Sequence, residues 1–175
     1  MPAFVSLAFA LPGAVQAAVA GVRGAIGGLN QVVSVESDGS TVTGQLTLGS
    51  SSLPAWLRAY AQDGWTSLTI DVEEPAFEQL ASEQGRAVVV NALLAHAVHL
   101  VVALHAPYVH VEEEAEAYDD PRGVTGDIAT FGITVLRADL PGLERALGQK
   151  GVIRVDRGEG WVVVWRRPDP VPRNV

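Results

Sequence analysis

Residues 87–104 limit the fold more than any other stretch. The run holds no acid, lysine or arginine, and its polar side chains are Asn91, His96 and His99. Eighteen helical residues at ~1.5 Å each rise about 27 Å, close to the thickness of a bilayer core. Three polar side chains facing lipid are costly, and no second span of this kind exists. The flanks, Arg86 on one side and glutamates on the other, carry no positive-inside signal. The run is therefore expected to be a long central helix, apolar nearly all round and buried on most sides. Its valines favour strand, but strands usually end within about eight residues, so length decides for helix. Pro107 ends it.

A chain of 175 residues, 48% apolar, is long enough to bury a core without covalent staples. There is no cysteine, which excludes disulfides, thiolate metal sites and a cysteine nucleophile. The net charge of −8 is uneven. Residues 110–127 carry seven acids and one arginine, whereas residues 137–175 carry eight bases and five acids. An acidic chain repels phosphate backbones, so neither nucleic acid nor membrane is expected as a partner. Eleven arginines against one lysine suit a GC-rich bacterial genome. The apolar start lacks a basic residue before Arg23, unlike an export signal, and is read as a strand of a cytoplasmic protein.

Taken in order, residues 4–11 suit a strand buried on both faces. Val15, Ala18, Val19, Val22 and Ile26 repeat at helical spacing, and Gly27-Gly28 stops the helix. Asp38-Gly39 marks a hairpin between strands at 32–35 and 42–48. Ser52, Pro54 and the spacing of Leu53, Trp56, Leu57, Tyr60 and Ala61 predict a helix. Residues 65–72 alternate as a half-buried strand. The first part thus reads β-α-β-β-α-β, a ferredoxin-like order, and the class is α+β. A helix follows at 77–83, then the long central one. Residues 108–111 read as a strand, 115–126 as an exposed loop, and a strand begins at Phe131. Asp139 caps a short helix, 141–147, and a hairpin of 152–155 with 161–165 completes a second β-α-β-β part. Leu11-Pro12-Gly13 and Leu140-Pro141-Gly142 echo each other. The echo suggests pseudo-duplicated halves, 1–74 and 106–168, joined by 75–105 and packed as one domain, 1–175.

Two constellations carry chemistry. The carboxylates Glu112, Glu113, Glu114, Glu116, Asp119 and Asp120 form an acidic patch. They lack the spacing of a calcium loop, and charge runs of this kind are solvated faces or docking surfaces. His96 and His99 share a helical face, and His110 with Glu112 on the next strand would complete a divalent metal site. The bland alternative makes His96 and His99 satisfied core or interface side chains and His105 a helix-end residue. No phosphate loop and no Gly-x-Ser-x-Gly elbow occurs.

The leading expectation is a non-catalytic, immunity-type interaction module. It would need no cofactor and would bind a basic protein partner through residues 112–120. The alternative is a metal-dependent enzyme built on His96, His99, His110 and Glu112. A third expectation is a homo-oligomer joined through the C-terminal hairpin edge.

Overall fold

The computed structural model describes residues 3–35, 38–126 and 132–171. Its strands are β1 (Phe4–Pro12), β2 (Gln31–Val35), β3 (Gly39–Leu48), β4 (Ser51–Ala61), β5 (Trp65–Glu73), β6 (Tyr108–Glu113), β7 (Ile133–Arg137), β8 (Arg154–Gly158) and β9 (Trp161–Trp165). Its helices are α1 (Val15–Ala25), α2 (Glu74–Gln84), α3 (Arg86–Leu104) and α4 (Leu143–Leu147). The strands form one antiparallel sheet in the order β2-β3-β4-β5-β1-β6-β7-β9-β8.

Strand β1 sits near the middle, between β5 and β6, and is buried on both faces as its unbroken apolar run requires. Successive residues point to opposite sides. Val5, Leu7, Phe9 and Leu11 enter one core with α1, α2 and α3. Ala8 and Ala10 enter a second, smaller core with Tyr108, Ala115, Ala117, Leu136, Leu143 and Ala146. Large residues thus face the helices, and small ones face a thin layer formed by α4 and the chain after β6.

The expected helix at 52–61 is instead β4. It pairs with β3 from Gly39↔Tyr60 to Leu48↔Ser51, and with β5 from Ala55↔Val72 to Ala61↔Thr66. The residues that mimic a helical stripe also satisfy a period of two. Ala55, Leu57 and Ala59 are buried with the helices, and Trp56, Arg58 and Tyr60 face the other way. The deciding signal is Gly49-Ser50, with Gly49 at φ +68°, a two-residue turn that locks β3 onto β4. Pro54 is tolerated because β4 begins to pair with β5 only at Ala55. Residues 4–73 therefore run β-α-β-β-β-β. This replaces the ferredoxin-like order expected for the first part.

Two further expectations change. Strand β5 is not half-buried: Ser67, Thr69 and Asp71 lie under the second layer, with Asp71 only 1% exposed. The helix at 141–147 shortens to α4, and Asp139 takes Arg137 as its partner rather than capping. Phe131, the expected start of β7, lies outside the described residues. The two strand–helix–hairpin segments are placed differently. Helix α1 packs in the larger core and α4 in the smaller one. Strand β1 pairs with β5 and β6, whereas β7 pairs with β6 and β9.

Gly85, at φ +96°, separates α2 from α3. Helix α3 is long and apolar enough to cross a membrane by length and composition. Here it packs along the sheet, against β6, β7 and β9, while His96 Nε2 donates to the Thr47 carbonyl of β3 at 2.6 Å. The sheet therefore curls around this helix. Burial is one-sided, contrary to expectation. Val89, Val90, Leu93, Leu94, Ala97, Leu100 and Val101 are inside, while Val88, Ala95, His99 and Val102 are exposed. Leu93→Ala should cost about 2–5 kcal/mol in urea unfolding, and Val102→Ala less than ~1 kcal/mol. Equal losses would contradict this placement of α3.

Candidate functional site

The second layer begins where β6 ends. Glu114 takes a left-handed conformation, φ +50°, and its N–H donates to the Phe4 carbonyl at 2.9 Å. The chain then crosses the sheet with a period of two: Glu114, Glu116 and Tyr118 point outward, Ala115 and Ala117 inward. Only small side chains fit beneath, against Ala8 and Ala10. The segment is fastened through its backbone. Ser67 Oγ donates to the Ala117 carbonyl (3.0 Å) and Tyr108 Oη to the Asp119 carbonyl (2.7 Å). This stretch was expected to be a plain exposed loop. Its alternating Glu-Ala-Glu-Ala-Tyr was the available sign of a half-buried, extended path.

Between this segment and strands β1, β4 and β5 lies a cleft of about 510 Å³. Beside its wall residues Ser6, Arg58 and Thr69 the carboxylate of Asp71 is buried and four donor atoms hold it. Ser6 Oγ donates at 2.5 Å, Arg58 Nε at 2.8 Å, Arg58 Nη2 at 2.6 Å and Thr69 Oγ1 at 3.4 Å. A buried charge persists only when paired in this way. Burial by itself lowers the pKa of Arg58, but attraction to Asp71 outweighs it and leaves the guanidinium above its ordinary value. The Arg58 guanidinium also stands 5.8 Å from the centre of the Phe4 ring. None of these residues was singled out from the sequence as part of a site. Arg58 and Asp71 are thirteen residues apart and meet only because β4 and β5 pair.

Arg58 and Asp71 neutralise each other, so among the described residues Glu114 and Glu116 leave the cleft with a net charge of −2. Tyr60 and Tyr118, 51% and 72% exposed, stand at its mouth. Tyr118 Oη donates to Glu116 Oε2, which raises the phenol pKa above its ordinary value. Close by, Glu74 is raised above the usual carboxylate range, first by desolvation and then by Glu113, Glu78 and Glu114. Glu74 thus lies within electrostatic reach of Glu114, an interaction its place in the first turn of α2 did not announce.

The six expected patch residues have different surroundings. Glu114, Glu116 and Asp119 are exposed. Glu112 is 14% exposed and pairs with Arg167 Nη1 at 2.7 Å. Asp120 accepts from the backbone and the guanidinium of Arg122, and its pKa falls below the ordinary value, chiefly through the side-chain bond to Arg122. Glu113 is half-buried beside Glu74.

The four residues expected to bind a metal are dispersed. On β6, Val109 and Val111 face the helices, so Tyr108, His110 and Glu112 face the opposite layer. His96 and His99 are on α3, across the sheet. His96 spends Nε2 on Thr47, and His99 is exposed. Among the described residues no three His, Asp or Glu side chains gather as a metal-holding group. His105 ends α3 in a left-handed conformation, and its carbonyl accepts from Arg137 Nη1 at 3.1 Å.

His110 is instead a core residue, 1% exposed. Its Nδ1 lies 3.0 Å from Thr134 Oγ1, and its ring centre lies 4.8 Å from that of Tyr108. Burial pushes its pKa down to about 3. Comparison with known proteins finds no family model, no curated protein and no solved structure that matches this chain.

Two outcomes follow. The unfolded chain takes up the His110 proton near pH 6.5, and the folded one only near 3. The unfolded state thus binds more protons between these values, and stability falls as pH drops through that window, by about 2 kcal/mol from pH 6.5 to 5. Urea melts at pH 7 and pH 5 should show a smaller difference for His110→Gln than for the parent. Arg58→Met should cost about 1–3 kcal/mol, because it leaves Asp71 with hydroxyl donors alone. Asp71→Asn in that background should restore part of the loss. If the two changes are simply additive, the pair is not coupled.

Proposed function

We propose that the protein is a non-catalytic interaction module that docks a basic segment of a protein partner onto the rim of the cleft. The observation that carries this reading is the division of charge. The buried pair Arg58–Asp71 is internally compensated, while Glu114 and Glu116 at the mouth keep their charge facing solvent beside Tyr60 and Tyr118. Two carboxylates and two phenol rings suit a lysine or arginine side chain, which gains from the charges and from the ring faces. Asp119 and Glu74 extend the same negative field and would steer a cationic partner towards the mouth.

An arginine-rich hexapeptide titrated into isotope-labelled protein should bind saturably, with shift changes centred on residues 58–62 and 114–118. Affinity should fall as salt rises from 0.05 to 0.5 M, since the Debye length shrinks below about 10 Å over that range. Glu114→Lys with Glu116→Lys should weaken binding at least ~10-fold with the melting temperature little changed, because exposed charges contribute little to stability. Unchanged affinity in that double variant, or shift changes elsewhere on the surface, would remove the basis for the proposal.

A further inference from the structure

A second concavity lies beside α3 and owes nothing to the acidic rim. It is a groove of about 940 Å³ between the first half of α3, the start of β8, the end of β9 and residues 167–171. That volume is at the upper end of the range occupied by small-molecule sites. Its floor is apolar: Val90, Trp165 and Val171 are buried, and Ile153 on its wall is 60% exposed. An isoleucine left this bare at the edge of an apolar hollow gains by being covered.

Among the described residues, the charged groups lining the groove are three arginines and one aspartate. Arg86 and Asp169 neutralise each other. Arg86 gives Nε and Nη2 to Asp169 and Nη1, at 2.8 Å, to Glu78, so its fork is filled. Asp169 also accepts from the Val171 N–H at 2.9 Å, which fixes the strap that closes the groove on one side. Arg154 and Arg167 differ from Arg86. Their side chains are 63% and 49% exposed. Arg154 lies 5.0 Å from the centre of the Trp165 ring and meets Asp156 through Nε at 2.9 Å. Arg167 meets Glu112 through Nη1 at 2.7 Å. A guanidinium carries five N–H donors, so each keeps donors beyond the acid it already holds. The acids they hold, Asp156 and Glu112, do not line the groove.

We propose that this groove binds an amphipathic monoanion, an apolar chain or ring bearing one carboxylate. The apolar body would lie on Val90, Trp165 and Ile153, and the carboxylate would take the remaining donors of Arg154 and Arg167, the bidentate match that guanidinium geometry favours. Among the described residues a cation finds no acid along these walls other than Asp169, which Arg86 already occupies. A neutral apolar molecule would leave the remaining donors of the two guanidiniums to water and gain nothing from their charge.

Decanoate is the test ligand, titrated into the full chain below its micellar concentration and followed by calorimetry and by amide shifts. One site is expected, with shift changes at residues 86–91, 153–154 and 165–171. Decanol and decyltrimethylammonium should bind at least ~10-fold more weakly. Ala87→Phe, which fills an exposed lining position without touching a charge, should abolish binding. Arg154→Gln with Arg167→Gln should weaken decanoate at least ~10-fold and leave decanol unchanged. Should the loss of the Glu112 pair unfold that double variant, Arg154→Gln alone serves the same comparison. Absence of saturable decanoate binding overturns the proposal. So does decanol or the ammonium binding as tightly as decanoate, or undiminished binding to the Ala87→Phe variant.

Discussion

Strand β1 must be dry on both faces, and the rest of the molecule answers to that requirement. A strand with Val5, Leu7, Phe9 and Leu11 on one side and Ser6, Ala8 and Ala10 on the other cannot be served by one layer. The large side chains draw three helices onto one face. The small ones leave too little depth for a long helix on the other. Alternating alanines in an extended segment, with the short α4, cover it instead. The cleft is a by-product of this asymmetry. Where the thin layer stops short of β4, Arg58 and Tyr60 stay within reach of solvent while Asp71, closer to the centre, does not.

Much of this was legible in the residues. The double burial of β1, the helical repeat of α1, the pairing of β2 with β3, the break at Gly85 and the final hairpin all follow from local pattern and turn chemistry. The misread segment, β4, is one where two periods coexist. Leu53, Trp56, Leu57 and Tyr60 suit 3.6, and Leu53, Ala55, Leu57 and Ala59 suit two. Local propensity does not arbitrate there. Pairing with β3 and β5 does, and the turn at Gly49-Ser50 was its one local trace. The one-sided burial of α3 was hidden for a different reason. Its outward residues include Val88, Ala95 and Val102, as uncharged as its inward ones, and Asn91 and His99 alone mark the exposed side, too sparse to read as a polar stripe.

The site was less legible than the fold, because its chemistry depends on partners far apart in the chain. An acidic run invites the reading of a continuous patch. In the folded chain the acids meet different neighbours: Arg167 for Glu112, Arg122 for Asp120, Glu74 for Glu113, Tyr118 for Glu116 and solvent for Glu114. The histidines show the same effect. Helical spacing correctly placed His96 and His99 on α3, and strand alternation correctly placed His110 and Glu112 on one face of β6. Which side of the sheet that face turns to is a tertiary fact, and it keeps the two pairs apart.

Glu112 is where these threads meet. It leaves the face of β6 that carries Tyr108 and His110, yet its carboxylate meets Arg167, a residue of the groove beside α3. Next to it the N–H of Glu113 donates to the Pro170 carbonyl at 3.1 Å, so the C-terminal strap and the start of the acidic segment are joined by backbone as well as by charge. Beyond the strap, Arg86 ties Asp169 to Glu78 on α2, and the electrostatic neighbourhood of Glu78 includes Glu74. Ion pairs thus run from the groove to Glu112 and to Glu78, and like-charge contacts continue from Glu78 through Glu74 to Glu114 at the rim of the cleft. The Arg86–Asp169 pair is mostly buried and held by two donors, and the Arg167–Glu112 pair is more exposed and weaker on its own. Their shared effect is positional: the strap cannot shift without disturbing both the arginines that line the groove and the turn that launches Glu114. Coupling between the two places would need two discrete arrangements of that strap, and the ion pairs on Asp169 and Glu112 are what would hold one of them.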